Sequence, residues 1–222
     1  MKTDSELRLD VIAELQWDSR IKSNEIGVIV KDGAVTLTGM VETYAEKVAA
    51  ERAAMCVRGV RAVAEDIVVR LPSRMRSTDE GLAEQIARLL SWNTTLRDTN
   101  VQAEVRGGRV TLSGEVESFH QREAAAAAVE PLEGVISIVN RIAVQAPVKA
   151  PSPRDIQRQI MGALHRHANV EASKIRVSVD DGNVTLEGSI DAPCEREAVE
   201  AAVRGTPGVR DVVDNLVVAS AG

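Results

Sequence analysis

Aromatic residues are nearly absent from this chain, which has only two Trp, one Tyr and one Phe in 222 residues. Modules that bind single-stranded nucleic acid stack bases on aromatic side chains inside a basic groove. The net charge here is −6, and no basic stripe runs along the sequence. We therefore expect no nucleic-acid partner.

Cysteine and histidine are also scarce, with two and three residues respectively. Cys56 and Cys194 occupy unrelated positions, so we expect no disulfide framework, and a reducing compartment fits. Cys194 together with His165 and His167 could suggest zinc. However, side chains two residues apart on a helix point about 200° away from each other. We predict no metal site and no cofactor.

Long apolar runs are missing as well. The first 15 residues alternate charged and apolar side chains, with no apolar segment typical of a secretory signal, and no stretch is long enough to span a bilayer. As written, the sequence predicts a cytoplasmic protein. The alternative is a periplasmic protein whose signal has been removed, in which case Met1 would not be native.

Catalytic arrangements are not recognisable either. With three histidines in all, no nucleophile, base and orienting group can be assembled from the sequence. The glycine-rich stretches described next lack the Lys-Ser/Thr pair that follows a phosphate-binding loop. We expect no enzymatic activity.

What the sequence does contain is one seven-residue stretch, Gly-x-Val-Thr-Leu-x-Gly, in three copies 75 and 74 residues apart. Its first and last glycines are Gly33 and Gly39, Gly108 and Gly114, and Gly182 and Gly188. Each copy follows an Asp-Gly or Gly-Gly turn dipeptide, which is typical of a two-residue hairpin. The last glycine is interpreted as the residue that ends the strand and leads into a helix.

The same elements surround each copy. In repeat one, Thr3 and Glu6 form a capping-box pattern, followed by apolar residues at helical spacing up to about Trp17. Hairpin pairing would then place Val30 opposite Val35. A second helix begins at Thr43, a glycine stops it, and a third strand follows. A right-handed crossover would make this strand parallel to the second.

These patterns predict an α+β protein of three tandem αββαβ domains, each a three-stranded sheet with two helices packed on one face. The domains are expected at residues 3–71, 77–145 and 152–219, joined by linkers that contain proline. A domain of this size is near the lower limit for a self-sufficient core. The outer sheet faces would stay open, and could stack repeats or dimerise them.

The chain resembles the BON domain, a bacterial module named for osmotically inducible and nodulation-related proteins. The resemblance rests on the three glycine stretches, on the Gly-Val pair before each last strand, and on closing segments such as Asn140–Val144. It covers nearly the whole chain and implies αββαβ folds without enzymatic activity. It also implies attachment to phospholipid surfaces in osmotic or envelope stress.

On this resemblance we expect a binding or scaffolding protein whose partner is a phospholipid membrane surface or an envelope protein. Two alternatives remain open. One is a cytoplasmic adaptor that self-assembles into a homo-oligomer through its open sheet faces. The other is a sensor of potassium or a small ligand that uses backbone carbonyls.

The four aromatic residues are the candidate contact residues, because Trp17 and Trp92 are 75 positions apart, as are Tyr44 and Phe119. Each Trp is expected near the aromatic residue of its own repeat. Such a pair could plug one end of the core, or form an exposed edge that enters a lipid interface or a partner groove. The basic residues expected to assist are Arg20, Lys22, Arg97 and Arg122.

Overall fold

The computed structural model of the chain describes residues 2–72, 77–96, 99–145, 152–166 and 172–219. Repeat one contains α1 (Asp4–Trp17), β1 (Ile26–Lys31), β2 (Ala34–Val41), α2 (Tyr44–Met55) and β3 (Ala62–Val69). Repeat two contains α3 (Asp79–Trp92), β4 (Gln102–Arg106), β5 (Arg109–Ser113), β6 (Glu115–Val116), α4 (Phe119–Val129), β7 (Ser137–Asn140) and β8 (Ala143–Val144). Repeat three contains α5 (Pro153–Arg166), β9 (Ile175–Asp180), β10 (Asn183–Ile190), α6 (Pro193–Arg204) and β11 (Asp211–Val218). The α+β fold class is confirmed.

Each repeat forms one three-stranded sheet with its hairpin strands antiparallel and its last strand parallel to the second. The predicted register is confirmed, since Val30 pairs with Val35 in repeat one. The predicted capping box at Thr3 and Glu6 is also present. A single 3₁₀ turn before each first strand was not predicted.

Each sheet buries one face under its two helices, so the molecule has three separate apolar cores. Fully buried residues such as Leu37, Leu112 and Leu186 occupy the same position of the three glycine stretches. The core of repeat three is built from its own residues, whereas Ile136 and Tyr44 also pack across the boundary between repeats one and two.

The interpretation of the last glycine as a strand terminator was wrong. In repeat one β2 continues past Gly39 to Val41, and in repeat three β10 continues past Gly188 to Ile190. Gly39 instead permits a close backbone approach, because a Cβ there would lie 2.1 Å from the carbonyl oxygen of Glu25. Only in repeat two is the strand interrupted at the glycine, which separates β5 from β6.

The first helix holds the hairpin turn in two of the repeats. In repeat two both carboxylate oxygens of Asp79 accept hydrogen bonds, from the Gly107 and Gly108 N–H groups at 2.6 and 3.0 Å. These backbone hydrogen bonds lower the pKa of Asp79. Asp4 accepts the equivalent pair in repeat one, while Pro153 occupies this position in repeat three.

Candidate functional site

The two tryptophans are the most exposed large apolar residues of the described chain. Trp17 ends α1 and Trp92 ends α3, and their exposed fractions are 86% and 85%. They therefore do not plug the cores of their repeats. The exposure agrees with the alternative of an exposed edge, and contact with a lipid or a partner stays a prediction.

Each tryptophan borders a shallow groove between the first and second helices of its repeat. The Trp17 groove measures about 420 Å³ and includes Ala49 and Ala53 of α2. The Trp92 groove measures about 560 Å³ and includes Leu89 of α3 and Ala128 of α4. The alanine side chains are small, and each tryptophan beside them stays largely exposed.

Tyr44 and Phe119 lie elsewhere, so the predicted pairing with the tryptophans is wrong. Tyr44 is half-buried and packs against the core of repeat two, and desolvation raises the pKa of Tyr44. Phe119 lies beneath the guanidinium of Arg204, whose Cζ is 5.7 Å from the ring centroid. Both aromatic residues line a cleft between the repeats.

The three second helices enclose this cleft in a cyclic arrangement. The start of α2 contacts repeat two through Tyr44, and the start of α4 contacts the end of α6 through Phe119. The start of α6 lies beside the end of α2, where Cys194 and Cys56 are neighbours and Arg58 forms an ion pair with Asp191 at 3.1 Å. Each repeat therefore touches both of the others.

The cleft has a volume of about 570 Å³ and mixed charge. Its acidic side includes Glu51, whose pKa is raised by burial and then by the nearby charges of Glu65 and Glu197. Its basic side includes Arg122, whose buried Nε has no hydrogen-bond partner among the residues that the structure describes. With both signs of charge present, the lining does not select one class of ligand.

The basic residues expected beside the aromatic edge do not form a free cationic patch. Arg20 is paired with Asp18 at 2.6 Å, and Lys22 is paired with Glu42. Arg122 lines the cleft, while Arg97 lies outside the described residues. Paired cations give little attraction to anionic lipid.

The first helix of repeat three ends without a tryptophan. Arg166 occupies the position of the tryptophans, and His167 lies outside the described residues. In the described ranges, no three His, Cys, Asp or Glu side chains converge as metal ligands. Across the same ranges, none of the helices has the length and apolar character needed to cross a bilayer.

Sequence reasoning missed the contact between the two cysteines. Cys56 and Cys194 are 138 positions apart and occupy non-equivalent places in their repeats. No periodic pattern marks such a pair, because the contact depends on how repeats one and three are oriented.

Comparison with known proteins gives a family and one curated relative. The family model described as the BON domain matches residues 3–70, 78–146 and 153–220. Osmotically-inducible protein Y of Escherichia coli (strain K12) is 30% identical over 141 residues, covering 62% of this chain and 70% of that protein.

Two solved structures are also similar over most of the chain. One is CdsD, a structural protein of the type III secretion system of Chlamydia trachomatis, with 18% identity and a TM-score of 0.27 over 96% of this chain and 92% of that one. The other is the C-terminal domain of CdsD, with 17% identity and a TM-score of 0.26 over 98% of this chain and 100% of that one. At these scores neither structure bears on function.

Proposed function

The chain belongs to the BON-domain family, with three copies that cover most of its length, and from that premise we propose that it is a non-enzymatic binding protein that attaches to phospholipid surfaces in osmotic or envelope stress. The stress context is supported by the relative named for osmotic induction. The observation that supports lipid contact is the pair of exposed tryptophans at equivalent positions of repeats one and two.

Tryptophan suits a membrane boundary because its ring is apolar while its indole N–H can hydrogen-bond to headgroups or water. The chain has only four aromatic residues, and folding leaves two of them, both tryptophans, exposed to water. The third repeat, with Arg166 at this position, would not enter the interface in the same way.

The charge distribution favours insertion over electrostatic attraction. The net charge of −6 opposes long-range attraction to anionic lipid, and Arg20 and Lys22 are both ion-paired. We therefore propose that binding depends on the indole rings and only weakly on lipid charge.

Flotation of the purified chain with phosphatidylcholine vesicles tests this proposal. Wild type should float, and the double variant Trp17→Ala/Trp92→Ala should lose about tenfold or more of its bound fraction, since each indole supplies about 1–2 kcal/mol of interfacial transfer. Adding phosphatidylserine to the vesicles should change the bound fraction of wild type by less than the double substitution changes it.

The matched control is Leu9→Ala, which removes exposed apolar surface from α1 at a residue that is 63% exposed. This variant should float as wild type does. If the double Trp variant floats unchanged, or if wild type fails to float with either lipid, the aromatic edge is not a lipid-contact site.

A second candidate function, self-assembly, is favoured by the outer face of the first sheet. Ile29, Met40 and Val68 are exposed on this face. Ile29 lies beside Thr36, which pairs in turn with Ala64, so this row of the face is uncharged, while Lys31 and Asp66 lie in the rows on either side of it. The equivalents of Ile29 are Glu104 and Ser178, so an apolar residue at this position is particular to repeat one.

Sedimentation velocity over a range of concentrations tests self-assembly. If two copies join through this face, wild type should show a sedimentation coefficient that rises with concentration, and Ile29→Glu should abolish the rise. Ser178→Glu places the same charge on the third sheet and should leave assembly unchanged. A wild type that stays monomeric at all concentrations excludes this candidate.

A further inference from the structure

The two cysteines of the chain meet at the boundary between repeats one and three. Cys56 is the residue that caps the C-terminal end of α2, and Cys194 is the second residue of α6. Their side chains lie close enough together for each thiol to feel the other. Cys56 is exposed, and Cys194 is half-buried.

An ion pair crosses this boundary beside the cysteines. Arg58, two residues after Cys56, pairs with Asp191 at 3.1 Å. Asp191 also pairs with Lys174 at 3.4 Å within repeat three. Its own N–H donates to Glu195 on α6 at 3.0 Å. The loop before Cys194 therefore contacts the segment that follows Cys56.

We propose that Cys56 and Cys194 form a reversible disulfide that ties repeat one to repeat three when the chain meets a small-molecule disulfide oxidant. This inference concerns the joining of the repeats and does not depend on lipid binding. It also revises the expectation that the cysteines are unrelated.

The reaction is a thiol–disulfide exchange in two steps. One protein thiol loses its proton, and its thiolate attacks the S–S bond of the oxidant, which releases one small thiolate and leaves a mixed disulfide. The second protein thiol loses its proton and attacks the protein sulfur of that mixed disulfide, which releases the second small thiolate. The two released thiolates take up the two protons, so the oxidant is reduced to two thiols as the protein disulfide forms.

The environments of the two sulfurs suggest which one attacks first. Desolvation of the Cys56 thiol, followed by its hydrogen bond to Cys194, raises the pKa of Cys56 to about 12. Cys56 is thus protonated at neutral pH, and a thiol in that state is a poor nucleophile. We therefore assign the first attack to Cys194, the second residue of α6.

This bond would make the contact between α2 and α6 covalent. Other contacts between repeats include ion pairs, the packing of Tyr44 and Ile136, and the Phe119–Arg204 contact. Cys56 also lines the groove beside Trp17, so the bond would form in the wall of that groove.

The test uses the full chain with a protease site inserted between Val148 and Ser152. The reduced protein is treated with oxidised glutathione at low protein concentration, its remaining thiols are alkylated, and it is then cleaved. We expect the two fragments to stay joined on a non-reducing gel and to separate with dithiothreitol. The mass of the uncleaved, oxidised chain should be lower by two hydrogen atoms, with no alkylated cysteine.

A displaced thiol provides the matched control. Cys194→Ser/Ser178→Cys keeps two cysteines but moves one to the exposed outer face of the third sheet. Its fragments should cross-link within one chain at least about tenfold more slowly than those of wild type. Cys56→Ser and Cys194→Ser should give no joined fragments.

Three results would overturn the proposal. Wild type could accumulate stable glutathione adducts on both cysteines, or link only to other chains. Alternatively, the displaced thiol could cross-link as fast as the native pair, which would mean that the repeats collide at random and the structure does not hold Cys56 against Cys194.

Discussion

Gly188→Val is expected to unfold repeat three and lower its stability by more than about 3 kcal/mol. A Cβ at Gly188 would lie 2.0 Å from the carbonyl oxygen of Lys174, and the φ of +134° is one that L side chains rarely adopt. Neither problem can be relieved by rotating a side chain, because the colliding atom is backbone and belongs to the entry into β9. Hydrogen exchange read by mass spectrometry should show loss of protection throughout residues 172–219.

Protection in repeats one and two should survive in this variant, because the core of repeat three is composed of its own residues. Gly107→Asp serves as the control for glycine replacement in a hairpin. Gly107 has a φ of +56° with no atom within 4 Å of a Cβ, and Asp32 and Asp181 hold the same position with positive φ. That change should cost less than about 1 kcal/mol. A Gly188→Val protein with native protection would contradict the close backbone approach.

Glu46→Ala is expected to destabilise repeat one by about 2–3 kcal/mol, because Glu46 is a buried acceptor for two backbone groups. Its Oε1 accepts from the Lys22 N–H at 2.7 Å, and its Oε2 accepts from the Glu42 N–H at 3.2 Å. Alanine would leave both N–H groups without this partner and would open space at the start of α2. Urea denaturation followed by circular dichroism measures the loss.

Glu46→Gln distinguishes the stability that comes from the hydrogen bonds from the stability that comes from filling the space. Glutamine keeps one oxygen, and Gln121 at the equivalent position of repeat two accepts from the Glu117 N–H at 2.9 Å. The glutamine variant should therefore lose less than half of the stability lost by the alanine variant. Equal losses in the two variants would show that the hydrogen bonds are not what Glu46 contributes.

The elements within each repeat could be predicted because their signals are local. Turn glycines, capping residues such as Thr3, and apolar spacing are separated by a few residues, and each fixes a backbone conformation by itself. Three copies of the pattern then identified the strands and helices and their register. The structural task of Gly39 was misinterpreted, because the glycine accommodates the carbonyl of Glu25, which ends the 3₁₀ turn before the neighbouring strand. Consecutive residues do not reveal that contact.

The candidate site was predicted only in part. The sequence identified Trp17 and Trp92 as equivalent residues at helix ends, but whether they are buried or exposed depends on the size of the neighbouring side chains. Ala49 and Ala53 leave a recess beside Trp17, and no bulky residue covers the ring. Phe119 was misplaced because Arg204, its contact, belongs to another repeat.

The sequence alone therefore determined the number of repeats, the elements of each and the family to which the chain belongs, since all three rest on short-range patterns. Only the tertiary structure decided that the second helices enclose a cleft and that Cys56 meets Cys194. The physical reason is that the contacts between repeats join single residues that are far apart in the sequence, such as Arg58 with Asp191 and Tyr44 with the core of repeat two. Such contacts impose no periodicity on the sequence, whereas burial of a sheet face under two helices does.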